Sequence, residues 1–184
     1  GASLIMFAAL ASISSQMGDT LLVTICLTLM ASIFGFMVLN WPLGSIFLGD
    51  GGAYFVGFSL AWVSVLLLSR NPQVSAWAPM LACGYPVLEV LFSMYRRKKR
   101  DLQTGHPDRL HLHSLVNRRY IKKKFPSTSR LIQNSLTGSV MWLAAILPAC
   151  LAVLLPTQTE MLIISLLLCA AIYVRTYKWL TGFH

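Results

Sequence analysis

Residues 20–39, TLLVTICLTLMASIFGFMVL, carry no charged side chain. Twenty such residues in an α-helix rise about 30 Å, the thickness of a bilayer's hydrocarbon core. Residues 136–155 form a second uncharged run of this length. Only helices and closed barrels satisfy their backbone groups in lipid. The runs are continuous rather than alternating, which selects helices. The expected fold class is therefore all-α, a polytopic transmembrane helix bundle.

Four more apolar segments fill out the bundle. Residues 2–15 are short for a span, 53–69 sit near the lower limit, and 161–180 end in Arg175 and Lys178. Residues 76–95 are expected to cross as well, although they carry Glu89 and two helix-bending prolines, Pro79 and Pro86; Pro148 is a third, in the run 136–155. Five to six spans are expected, in one domain covering residues 1–184. Only 11% of residues are charged, against about a quarter in soluble domains, which excludes an ordinary soluble globule. The four cysteines, Cys26, Cys83, Cys150 and Cys169, all lie inside apolar runs without metal-ligand spacing. They read as small thiols, neither disulfides nor zinc ligands. The chain enters an apolar segment directly after Gly1 with no signal-peptide pattern, and reads as part of a longer chain.

Charge sets the orientation. Twelve of the fifteen Lys and Arg residues fall between Arg96 and Arg130, including RRKKR and KKK. The positive-inside rule puts this loop in the cytoplasm. Alternation then puts residues 40–52 and the C-terminus on the same side, and the turns near Asp19, Asn71 and Pro156 on the other. Arg70 is the one dissenting charge. The basic runs suit acidic lipid headgroups, and no nucleic-acid partner is expected.

Two clusters on that side could carry chemistry. In NWPLGSIFLGDGGAYF, Asp50 is one of six acidic residues and stands among Gly49, Gly51 and Gly52. Glycines let a backbone approach a ligand closely, and Asp50 precedes a helix start whose N–H groups attract anions. A carboxylate beside an anion makes sense with a divalent cation between them; a plain helix N-cap is the simpler reading. In GHPDRLHLHSLVNRR, His106, Asp108, Arg109, His111 and His113 crowd together. Zinc binding, phosphate binding through the Arg109 fork, and headgroup attraction all remain open there. His111 and His113 would share one side if extended and diverge if helical. Glu89 is a functional candidate as an acid inside an apolar run, or else pairs with a base such as Arg96.

These motifs together resemble a known family. N-W-P-L-G-S-I-F-L-G-D-G-G-A-Y is similar to the cytoplasmic-loop motif of the polyprenyl-phosphate N-acetylhexosamine-1-phosphate transferases, glycosyltransferase family 4. P-D-R-L-H-L-H resembles that family's His-rich loop, and YPVLEVLF the acidic span before it. The order and side of the motifs match as well. The bacterial branch acting on undecaprenyl phosphate is the nearest in pattern.

The resemblance implies transfer of a sugar-1-phosphate from a UDP-sugar to undecaprenyl phosphate, with release of UMP, at the cytoplasmic face of a bacterial inner membrane. It implies Mg²⁺, with Mn²⁺ as a substitute. By position, Asp50 matches the metal-binding aspartate and Asn40 a residue that helps build the site. Arg109, His111 and His113 match the loop facing the diphosphate and nucleotide, with Asp108, Gly51 and Gly52 beside them on the substrate. Asp50, His111 and His113 are thus the expected catalytic set. Ser114 stands where many family members have another histidine. The family's Asp-Asp motif has no counterpart here, so this chain is expected to be a C-terminal half, inactive without its N-terminal half; a second copy is another candidate partner. The rival readings are a non-catalytic membrane module binding lipid or nucleotide, and a transporter fragment.

Overall fold

The computed structural model describes residues 1–42, 44–99 and 110–182. In chain order these form α1 (Ala2–Gln16), α2 (Thr20–Asn40), α3 (Gly49–Arg70), α4 (Trp77–Ala82) and α5 (Gly84–Lys99). After them come α6 (Leu112–Leu115), a π-helical turn (Val116–Ile121), α7 (Lys122–Lys124), α8 (Arg130–Leu154) and α9 (Thr159–Gly182). No strand occurs among the described residues. Helices α2, α3, α8 and α9 are long and apolar enough to cross a membrane, and α1 is a shorter apolar helix. Their outward side chains are apolar too, with Phe58 70% and Leu143 66% exposed. Helices hydrophobic all round belong in lipid or in a core.

The helix ends sort into two faces. On one, Asp19 caps α2 by accepting from Leu22 N–H at 3.2 Å. The same carboxylate receives Arg70 at 2.6 and 3.1 Å and the Asn71 amide at 3.3 Å. The dissenting Arg70 is thus neutralised where α2 begins and α3 ends. Arg70 holds the Asp19 pKa down to about 2; burial works against it, and the Leu22 N–H and Asn71 bonds add to it. Ser75 N–H bonds Pro156 O at 2.9 Å and its hydroxyl meets that of Thr159 at 2.8 Å, which brings the 71–76 and 155–158 turns to this end too. The opposite face carries the 41–48 loop, the end of α5, the α6–α7 stretch and the end of α9. Asp50 and the histidines therefore share one end of the bundle, as alternation required.

Residues 76–95 do not form one continuous span. The helix stops at Ala82 and restarts at Gly84. Pro86 has no N–H to give Ala82 O, so an unbroken helix would lose that bond. Pro79 and Pro86 instead fall in the first turns of α4 and α5, where no intrahelical partner is needed. Together α4 and α5 still run from one face to the other. The junction also docks closely on α8: a Cβ on Gly84 would lie 3.0 Å from Pro148 Cβ. Pro148 itself lies within α8, whose helical assignment is unbroken from Arg130 to Leu154.

Two cores hold the helices. Phe7, Leu10, Ile13, Leu22, Leu67 and Leu81 belong to a fully buried cluster joining α1 to α4 with α8 and α9. Leu112, Leu115, Val116, Met141, Tyr173 and Tyr177 form a second cluster, which seats α6 and the π-turn against α8 and α9. That second cluster positions the histidines.

Candidate active site at the basic face

Glu89 organises the site from within. It lies on α5, and its side chain is 13% exposed. One oxygen takes His111 Nδ1 at 2.9 Å and Leu112 N–H at 3.0 Å, and the other takes the Tyr173 hydroxyl at 2.8 Å. Leu112 opens α6, so its N–H has no intrahelical partner and the carboxylate supplies one. Donation to a carboxylate selects the Nδ1–H tautomer of His111 and leaves Nε2 for a ligand. Arg96 instead donates to Leu110 O at 2.8 Å and to the Tyr177 hydroxyl at 2.7 Å. The local pairing of Glu89 with Arg96 is thus replaced by a long-range one with His111 and Tyr173.

His111 is extended, at φ −63° and ψ 148°, just before α6. That extension keeps the two imidazoles on one side: the His111 and His113 rings stack at 5.7 Å with 10° between their planes. Burial lowers the His113 pKa below the usual imidazole value; the Glu89 charge opposes this and His111 adds to it. The Asn117 amide then ties the π-turn to α8, reaching Asn134 Oδ1 at 3.2 Å and Thr137 Oγ1 at 2.9 Å. A π-turn inside helix is frequent at functional sites. His113, Ser114 and Asn117 line a groove of about 680 Å³ against Asn134, Thr137 and Gly138 of α8.

The glycine-rich segment approaches α8 from its other side. The Asn40 amide donates to Ile46 O at 2.6 Å, holding the 41–48 loop in shape. Trp41 packs on Trp142 at 5.5 Å, and the Ser135 hydroxyl bonds Pro42 O. Asn40, Phe47 and Gly52 line a cavity of about 530 Å³ whose α8 wall includes Asn134, Gly138 and Trp142. Asn134 and Gly138 line both spaces. Parts of the two sequence clusters therefore meet one stretch of α8, with Asn40 and Gly52 in one space and His113 in the other, whereas Asp50 and His111 line neither.

Asp50 is exposed in the first turn of α3. The N-cap is Leu48, with no side-chain cap bond, so the simple capping reading of Asp50 does not hold. Gly49 takes φ +67°, and Leu48 folds over Gly52, where a Cβ would meet Leu48 Cδ1 at 2.7 Å. Gly51 follows Asp50 in the same turn. Among the described residues no three His, Cys, Asp or Glu side chains gather as a metal group. His106, Asp108 and Arg109 lie outside the described residues. Sequence reasoning missed Tyr173, Asn117, Asn134 and Thr137. The four-residue spacing of Tyr173 and Tyr177 was a visible stripe, but nothing local linked it to Glu89.

Fold and site define a multi-pass membrane protein with a carboxylate-held imidazole, His111, stacked on a second, His113, at one end of its helices. Residues 1–68 match glycosyl transferase family 4. A Bacillus subtilis protein named "Probable undecaprenyl-phosphate N-acetylglucosaminyl 1-phosphate transferase" is 30% identical over 114 residues, covering 61% of this chain and 32% of the relative. The Escherichia coli K12 undecaprenyl-phosphate alpha-N-acetylglucosaminyl 1-phosphate transferase is 31% identical over 125 residues, 64% of this chain and 34% of the relative. The Salmonella typhimurium protein of that name is 32% identical over the same length. The chain is thus similar to glycosyl transferase family 4 over residues 1–68, and its match spans about a third of the length of these relatives. No solved structure matches it.

Proposed function

We propose that this chain forms part of an enzyme that moves an N-acetylhexosamine-1-phosphate from a UDP-sugar to undecaprenyl phosphate and releases UMP. The observation that carries this reading is the approach of Asn40, Phe47 and Gly52 from one space and of His113 from another to the same residues of α8, Asn134 and Gly138; Asp50 and His111 line neither space. The names of the relatives supply the substrate class. The basic face is then cytoplasmic, in a bacterial inner membrane, where nucleotide sugars are found.

In this reaction a lipid phosphate oxygen attacks the β-phosphorus of the donor and UMP leaves. Positioning and charge neutralisation do most of the work in phosphoryl transfer. His111 Nε2 and His113 would meet the diphosphate, with Glu89 fixing the first ring. Asn40 holds the loop that leads to Asp50. Asp108, Arg109, Gly51 and Gly52 complete the substrate contacts.

Asp50 fits Mg²⁺ as one carboxylate of a shared site. Its carboxylate is exposed and makes no hydrogen bond or ion pair to another described residue, and Mg²⁺ commonly takes one or two carboxylates plus substrate phosphates. Glu89 is committed to three donors and is not a second ligand. Bound there, Mg²⁺ or Mn²⁺ would neutralise the diphosphate. Further carboxylates would come from protein outside these 184 residues, so the chain alone is inactive.

The test is UMP release by the complete protein, given undecaprenyl phosphate and a panel of UDP-amino sugars. At least one donor should yield UMP together with a lipid-linked sugar diphosphate. Release from none of them sinks the proposal in favour of a non-catalytic module.

A further inference from the structure

We infer that the π-turn Val116–Ile121, with α7 and the end of α9, forms a headgroup site for an anionic phospholipid of the surrounding bilayer. Arg118, Arg119, Lys122, Lys123 and Lys124 line a cavity of about 690 Å³, together with Tyr120 and Trp179. No acidic side chain lines it among the described residues. The walls are tied together rather than being loose arms. Val116 and Ile121 are buried in the second cluster, Asn117 bonds α8, and Arg119 donates to Thr181 O at 3.1 Å at the end of α9. Lys124 lies 3.4 Å from the Tyr120 hydroxyl and 5.5 Å from its ring centre.

The level of the cavity selects its occupant. Trp179 is 52% exposed near the end of α9, a helix able to cross the membrane, and Tyr120 is 42% exposed beside it. Exposed Trp and Tyr at such ends sit among lipid headgroups. A basic pocket between helix ends at that depth meets lipid phosphates before it meets soluble ones, and basic pockets so placed hold multiply charged headgroups. The His113 groove lies on the other side of the π-turn and shares only Arg118 with this cavity. Apart from Arg118, the lining of this site is distinct from that of the His113 groove among the described residues, and the site stands whether or not the transfer reading does.

The experiment is native mass spectrometry of the complete protein in detergent, with phosphatidylcholine, phosphatidylglycerol or cardiolipin added. The wild type should retain the anionic lipids, cardiolipin most. Lys122→Gln/Lys123→Gln/Lys124→Gln should weaken that retention about a hundredfold, roughly fivefold per charge. The control, Arg97→Gln/Lys98→Gln/Lys99→Gln, removes equal charge from the same face and should keep it. A single Lys123→Glu exchange reads the same prediction with less change to the protein. Equal loss in both triple variants would mean diffuse attraction and overturn the site. So would equal retention of phosphatidylcholine, or displacement of the lipid by inorganic pyrophosphate.

Discussion

Replacing Glu89 tests how the histidine pair is held. Its carboxylate takes one N–H from Leu112, one from His111 and one hydroxyl from Tyr173. Glu89→Ala leaves the Leu112 N–H and the Tyr173 hydroxyl unpaired in a partly buried place, at about 1–3 kcal/mol each. The expected cost is about 2–6 kcal/mol, or a melting temperature lower by roughly 5–20 °C for a chain of this size. Glu89→Gln keeps the shape: its amide oxygen can take the His111 and Leu112 donors, and its NH₂ can face Tyr173. That variant should fold close to wild type and lose the charge that holds His111. Thermal unfolding in detergent reads the first effect. Nitrogen-15 NMR of His111 reads the second, with Nδ1–H dominant in the wild type and Nε2–H rising in Glu89→Ala. Unchanged melting together with an unchanged tautomer in Glu89→Ala would refute the account of Glu89.

Two further outcomes follow from the opposite face and the broken helix. The Asp19 carboxyl stands at about 2 in the folded chain against 3.8 as its ordinary value. Its stabilising contribution is complete above that ordinary value and is lost as pH falls through 3.8 towards 2. The melting temperature of the wild type should therefore drop more steeply over that window than that of Asp19→Asn, and parallel curves would contradict the Asp19–Arg70 pair. Gly84→Ala puts a Cβ 3.0 Å from Pro148 Cβ, an overpacking cost of about 1–3 kcal/mol. Thermal unfolding should show it, and wild-type melting would mean that the α4–α5 junction is not in tight contact with α8.

Long apolar runs made the helices legible, because lipid leaves the backbone few alternatives. Charge asymmetry likewise put Asp50 and the histidines at one end. The break at Cys83 was written in Pro86, but hydropathy averages over it. The Asp19–Arg70 pair was readable in principle: α2 and α3 have 21 and 22 residues, so an antiparallel pair aligns Asp19 with Arg70. The Glu89 network was not readable. Its nearest base, Arg96, is two turns along the same helix, whereas Tyr173 lies 84 residues away on α9. Only tertiary packing decides between such partners. Asp50 was misplaced at the helix boundary, because α3 already begins at Gly49 and its N-cap is Leu48, two residues before Asp50.

The most direct measurement compares Mg²⁺-dependent UMP release by the complete protein, wild type against Asp50→Asn, with undecaprenyl phosphate and a UDP-N-acetylhexosamine. Asp19→Asn, at the opposite end of the bundle, serves as the control. The account predicts turnover in the wild type and in Asp19→Asn, and none in Asp50→Asn at any Mg²⁺ concentration. Wild-type turnover by Asp50→Asn would remove Asp50 from the metal site and contradict the account at its centre.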